Sequence, residues 1–349
     1  MKKFFAFTTV VLMSLTALPA QANDLPSGLF GKSDPTYDGV YRQSIALIGL
    51  KSAKASTPTA AINWLTQQQC SDGGFMSFKA KECDSASEDS NSTAMAAIAL
   101  KSVGKIKEGQ KAANWLIGNR NKDGGIGYNP LAPVTAEWDP TKSDANSSGL
   151  MLAALTSFYP GKYDDSIAKH LATYQLPCSD KAAGALDYQV SATISANDFA
   201  TAQAVFGLTG SPLPISKKVG GGKGVKCKSI TNLKSTEIKD AVTQNGLLYL
   251  SKRLSANPKG LPSPFGPGTD WSATGWATLA LVASGIDIPA TKTAIATLAD
   301  GAITWGMDEK TGAKPGAIGM MLILTSTLKL NSAHFGGLNL SKTLIESLN

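Results

Sequence analysis

The sequence predicts an all-α protein arranged as an α6/α6 barrel, two concentric rings of six helices with loop insertions. Three observations lead there, beginning with internal repetition. A Trp-Leu pair followed by an Asp-Gly-Gly turn recurs at one fixed offset. It reads Asn63-Trp64-Leu65 with Asp72-Gly73-Gly74-Phe75, then Asn114-Trp115-Leu116 with Asp123-Gly124-Gly125-Ile126. A second segment, Asp89-Ser-Asn-Ser-Thr-Ala-Met-Ala-Ala-Ile-Ala-Leu100, aligns without gaps to the segments 144–155, 197–208 and 270–281. The stretches between its copies have two unlike faces.

The elements follow in chain order. Residues 1–22 read as a secretory signal: Lys2 and Lys3 precede an apolar run over 4–18, and Ala20-Gln21-Ala22 is an A-x-A cleavage site. The run is short for a membrane span and no stop-transfer segment follows it. A single toroidal domain is expected over 23–349. Weaker copies of the helical segment begin near Gly39 and near Ala313, giving six, with starts near 39, 89, 144, 197, 270 and 313.

In the four clear copies an Asp or Asn stands at the N-cap, where its side-chain oxygen can accept orphan backbone N–H groups. A hydroxyl residue follows four places later each time, as Thr93, Ser148, Thr201 and Thr274. Behind it the segment is apolar on nearly every side, so the helix must be buried all round. The intervening helices differ. In Lys111-Ala-Ala-Asn-Trp-Leu116, residues Ala112, Trp115 and Leu116 share one stripe while Lys111 and Asn114 face away. Six buried helices sheathed by six two-faced ones give the two rings. The long interval between the fourth and fifth copies holds an insertion at about 211–236, with Pro212, Pro214, a Gly-rich run over 219–225 and Cys227. That run lacks the Gly-Lys-Ser/Thr ending of a phosphate loop and reads as a loop.

Composition agrees with a globular chain. Of 349 residues, 43% are apolar, 17% charged and 7% aromatic, which excludes disorder and a polytopic membrane protein. The net charge of +7 is spread along the chain rather than gathered into a stripe, so no nucleic-acid partner is expected. An exported chain meets an oxidising compartment, periplasmic or extracellular, where disulfides persist. Four cysteines allow three pairings. The local ones, Cys70–Cys83 and Cys178–Cys227, are expected because each staples a loop-rich stretch. No cysteine spacing suits a metal, and no metal or cofactor is expected.

The stretch Trp64-Leu-Thr-Gln-Gln-Gln69 with Asp72-Gly-Gly-Phe75, and Lys111-Ala-Ala-Asn-Trp-Leu116 with Gly124-Gly-Ile-Gly-Tyr128, resemble the Gln-Trp repeat of squalene and hopene cyclases. That resemblance implies the α/α toroid of terpenoid cyclases and protein prenyltransferases. The third module departs from it, with Asp180-Lys-Ala-Ala-Gly184 in place of Asp-Gly-Gly. Activities of the superfamily do not follow from the fold alone. The Asp-x-Asp-Asp acid of triterpene cyclases is missing, and Asp164-Asp165 suits the positive end of a helix dipole. The Asp, Cys and His set of the prenyltransferase zinc has no counterpart around His170 or His334. The Cys-Gly-Glu-Gln thioester of complement domains is not matched by Cys70-Ser-Asp-Gly73. The segment 89–100 is also similar to the inner helices of secreted cobalamin carriers, which implies a binding toroid, although those carriers add a C-terminal β-domain.

Parallel inner helices place their N-termini on one rim. The candidate ligand-binding residues there are Asp89, Asn91, Trp138, Asp144, Asn146, Asp198, Asp270 and Trp271, with Asn197, Phe199 and Trp276 nearby. They form either a set of helix caps or a ring of oxygens around a cavity mouth. Asp72 and Asp123 are expected to brace their turns, and Trp64 and Trp115 to pack ring against ring. The reading reached is an exported toroid that binds a small molecule or glycan without catalysis. The alternatives are a cyclase-like or lyase-like enzyme using rim carboxylates, and an interaction scaffold plugged by Met95, Met151, Met320 and Met321.

Overall fold

A computed structural model describes residues 26–189, 194–215, 226–286 and 289–349. The first half of the chain runs α1 (Gly39–Ser52), α2 (Thr59–Gln67), α3 (Ser90–Ser102), α4 (Ile106–Gly118), α5 (Ala145–Phe158) and α6 (Asp164–Ala172). The second half continues with α7 (Asp198–Leu208), α8 (Ser235–Ala256), α9 (Trp271–Ala283), α10 (Pro289–Asp300), α11 (Ala302–Gly306), α12 (Pro315–Leu328) and α13 (Leu340–Glu346). Between α11 and α12 lies a small hairpin, β1 (Met307–Asp308) antiparallel to β2 (Gly312–Ala313).

The apolar segments are the inner ring. Helix α1 packs on α3, α3 on α5, α5 on α7, α7 on α9 and α9 on α12, and α12 returns to α1, so the circle closes. The outer helices α2, α4, α6, α8, α10 and α13 each lie against the inner helix that precedes them in the chain. This all-α toroid is the architecture the repeat predicts. Inner helices hold almost no exposed residue; in α5 everything from Ala145 to Leu155 is buried. Such helices are rich in alanine and glycine because six of them must meet around one axis. At the α5–α7 crossing a Cβ on Gly207 would sit 2.1 Å from the Gly149 carbonyl oxygen, so only glycine allows that approach.

Several expectations need adjustment. The last inner helix starts at Pro315, whose fixed φ and missing N–H suit a first helical position, while Ala313 belongs to β2. The short α11 is an additional element. Helix α8 begins at Ser235, inside the expected insertion, and residues 216–225, which include the whole Gly-rich run at 219–225, lie outside the described residues. The same holds for the secretory segment at 1–22. Both disulfides join Cys70 to Cys83 and Cys178 to Cys227, so the second ties the insertion to the loop after α6.

Candidate binding cleft at the inner-helix rim

A repeated two-point clamp fixes the rim. The residue after each Gly-rich turn donates its N–H to the hydroxyl of the next inner helix. Phe75 bonds to Thr93 Oγ1 at 3.0 Å, Ile126 to Ser148 Oγ at 3.1 Å, Leu186 to Thr201 Oγ1 at 2.8 Å and Leu261 to Thr274 Oγ1 at 2.9 Å. The carbonyls of those four residues accept in return from the backbone N–H of Asp89, Asp144, Asn197 and Asp270. The same four cap residues accept from the backbone three places on, at 2.6 to 2.9 Å. One Asp or Asn, one hydroxyl and one turn therefore lock the starts of α3, α5, α7 and α9.

The turns obey the same logic. Asp72 and Asp123 accept from the N–H of Gly74 and Gly125, bracing turns in which Gly73 and Gly124 take φ of +107° and +96°. The third module, divergent in sequence, keeps the geometry: Asp180 accepts from Ala182, and Gly184 has φ +88°. Gln69 Nε2 donates to the Gly73 carbonyl and to Glu108 of α4; Gln175 does the same to Gly184 and Val242 of α8. The glutamine ties one outer helix to the next, and Arg120 takes that place in the second module through Gly124 and Ser166.

The expected rim residues divide into three groups. Asp89, Asp144 and Asn146 are buried, and Asn91 is half-buried. Burial outweighs the cap hydrogen bonds and pushes the Asp89 carboxyl up to about 6 and the Asp144 carboxyl up to about 7. The Asp144 Oδ2 has no hydrogen-bond partner among the described residues. Trp138 stands in the loop before α5 with half its surface exposed. Asp198, Asp270 and Trp271 line open clefts. Asp198 is not a cap: Asn197 caps α7, and Asp198 receives Arg253 Nε at 2.9 Å and the Tyr249 hydroxyl at 2.5 Å.

The residues brought together include five aromatic ones. A cleft of about 620 Å³ opens where the N-termini of α1, α7, α9 and α12 meet. Its walls carry five aromatic rings, Tyr41, Phe199, Trp271, Trp276 and Trp305, with Ile45 and Met320. Trp271 lies so close to the backbone of Gly301, and Trp305 to Gly275, that a methyl group on either glycine would collide with the indole. Arg42 also lines the cleft, but its guanidinium is committed to Asp38, Ser33 and the Asp34 carbonyl. Lys314 and Asp308 stand at the edge.

Two register positions explain the lining. Counted from Gly39 of α1 and from the cap residues Asn197, Asp270 and Lys314, the residues two and six places on are Tyr41 and Ile45, Phe199 and Gln203, Ser272 and Trp276, and Gly316 and Met320. All but Gln203 line the cleft, and Gln203 donates to the Tyr41 hydroxyl at 3.0 Å. In α3 and α5 the same register holds Asn91 with Met95 and Asn146 with Leu150. The polar half of this ring is marked in the sequence by its acidic caps; Tyr41, Gln203 and Trp305 carry no such mark. The loops leading into the inner helices add exposed apolar residues: Tyr37, Trp138, Ile194, Phe265 and, on α11, Ile303.

A second cleft of about 600 Å³ adjoins the first and shares Phe199 with it. Asp198, Asp270, Tyr249, Arg253, Lys181 and Lys252 line it. Elsewhere, His170 is a packing residue, buried edge-on against Tyr174 with a ring-centroid separation of 4.8 Å. Cys70, Cys83 and Glu88 gather ligand-type atoms within 4.8 Å of one another, but both sulfurs are spent on the disulfide and supply no thiolate. No helix among the described residues is long and apolar enough to cross a membrane.

The described helices form an all-α toroid of two concentric rings. No protein-family model and no curated protein matches the sequence. Solved structures do. The type II terpene cyclase MstE from Scytonema, as an arginine-to-alanine variant in complex with the substrate geranylgeranyl dihydroxybenzoate, matches with a TM-score of 0.51 at 11% identity. The match covers 91% of this chain and 93% of that one. An apo tyrosine-to-phenylalanine variant of the same enzyme matches with a TM-score of 0.50 at 13% identity, covering 86% and 91%. At such identities the likeness is one of fold.

Proposed function

We propose that this toroid is an exported carrier or receptor for an apolar small molecule of isoprenoid size, held in the aromatic cleft without chemical conversion. The carrying observation is the cleft itself: five rings and two aliphatic side chains around about 620 Å³, a volume suited to a small ligand. The aromatic and aliphatic part of the lining suits an isoprenoid, and the ligand of MstE carries a geranylgeranyl group. The two disulfides fit an exported setting.

The test is a fluorescence titration with geranylgeraniol. Saturable quenching of tryptophan emission is expected, with Trp271→Ala weakening binding by about tenfold because a well-packed aromatic contributes on the order of 1–2 kcal/mol. Absence of saturable binding would remove the proposal. A second reading, cyclase-like catalysis, draws on one observation: burial pushes the Asp89 carboxyl up to about 6, and Asp89 lies near Tyr41, whose phenol is raised by burial first and by the Asp89 charge last. Cyclised product from a geranylgeranyl substrate, lost in Asp89→Asn, would favour that reading instead.

A further inference from the structure

The adjoining cleft differs from the aromatic one in the balance of its charged residues, and the two share one side chain. Phe199 lines both. Beyond it the wall carries Lys181, Lys252 and Arg253. Arg253 spends Nε and Nη2 on Asp198, and Tyr249 donates its hydroxyl to the same carboxylate. Asp198 is thereby neutralised by its two donors. Lys181 and Lys252 are exposed at this cleft and take part in no ion pair described for it. The opposing charge is Asp270, whose Oδ1 is engaged by the Ala273 N–H. Three cations against two carboxylates leave the lining with one positive charge in excess.

We infer that this cleft is a subsite for the singly charged anionic head of an amphiphile, a carboxylate or phosphodiester, whose apolar body lies beyond Phe199 in the aromatic cleft. The inference rests on the proposed binding function and specifies its ligand. One excess positive charge suits one negative charge on the ligand. Phe199 sets the bend between head and body. Charge-assisted hydrogen bonds from lysine and arginine are the stronger kind, weakened here by solvent at the open face.

The experiment compares geranylgeranoic acid with geranylgeraniol, two probes with the same body and different heads, below their micelle concentrations. The acid is expected to bind the full-length protein about tenfold more tightly than the alcohol at low salt. The ratio should fall toward one in Lys181→Ala/Lys252→Ala, and also in 0.5 M salt, where exposed charges are screened. Equal affinities in the unsubstituted protein, with the alcohol still bound, would overturn the subsite and leave the binding function standing. A ratio that survives the double substitution would overturn it too. If neither probe binds, the binding function itself is overturned and takes the subsite with it.

Discussion

Gln203 of α7 and Tyr41 of α1 sit on helices at opposite points of the inner ring, yet the Gln203 amide donates to the Tyr41 hydroxyl at 3.0 Å. The bond therefore crosses the axis of the toroid and floors the aromatic cleft. Gln203 is almost wholly buried, and its Oε1 has no partner among the described residues. Burial pushes the Tyr41 phenol above its ordinary range, so the hydroxyl stays protonated at any working pH.

Removing one half of this pair strands the other. Tyr41→Phe should destabilise the protein by about 1–3 kcal/mol, since the buried Gln203 amide is then unpaired at both ends. Adding Gln203→Leu should recover most of the loss by removing the polar group altogether. Urea denaturation of the single and double variants measures this coupling. A double variant no more stable than Tyr41→Phe would show that the bond does not organise the floor.

The clamp at each helix start makes a local prediction. Thr93→Val preserves shape and removes the acceptor for the buried Phe75 N–H. A cost of about 1–3 kcal/mol is expected. Hydrogen exchange should accelerate at the Phe75 amide beyond what global destabilisation produces. Unchanged relative protection there would mean that the Thr93 hydroxyl is not the bond that holds the turn.

The buried cap carboxyls predict an unusual pH dependence. Asp144 rises from 3.8 to about 7 through burial, and Asp89 and Glu88 shift the same way. Between about pH 4 and 7 the folded protein thus holds protons that the unfolded chain has released. By linkage, stability falls as pH rises through that window. Asp144→Asn keeps a good cap and removes the titration. The variant should lose less stability between pH 4.5 and 7.5 than the unsubstituted protein, by on the order of 1–3 kcal/mol. Parallel urea midpoints for both proteins across that range would refute the assignment.

Much of this could be read from residues. The six inner helices were legible because a segment apolar on all sides has one stable environment, and Asp or Asn followed four places on by a hydroxyl marks where four of them begin. The polar half of the rim was legible for the same reason, since Asn91 and Asn146 stand beside acidic caps. The aromatic half was not. Tyr41 lies in a weak copy whose cap residue, Asp38, makes no side-chain cap bond and pairs with Arg42 instead. Trp305 sits on α11, an element outside the repeat, and Gln203 looks like one polar residue in an apolar run until the ring closes and sets it against α1. The function of Asp198 depended on Arg253, a partner on a different helix that no spacing rule reveals. Gln175 was hidden because its module lost the glycine pair while retaining the turn.

The two disulfides should differ in what they contribute. Cys178–Cys227 closes a loop with a sequence separation of 49, against 13 for Cys70–Cys83. In the chain-entropy account a longer loop restricts the unfolded ensemble more, so loss of the larger one should cost about 4 kcal/mol and the smaller about 3 kcal/mol. The larger bridge also fastens Cys227, at the end of the insertion, to the loop after α6, where Lys228 N–H bonds to Asn245 of α8. Cys178→Ser/Cys227→Ser should therefore unfold at lower urea than Cys70→Ser/Cys83→Ser, and its insertion should become the first site of limited proteolysis. If the smaller bridge proved the costlier to remove, local packing around Cys70, which is buried beside Glu88, would outweigh loop length.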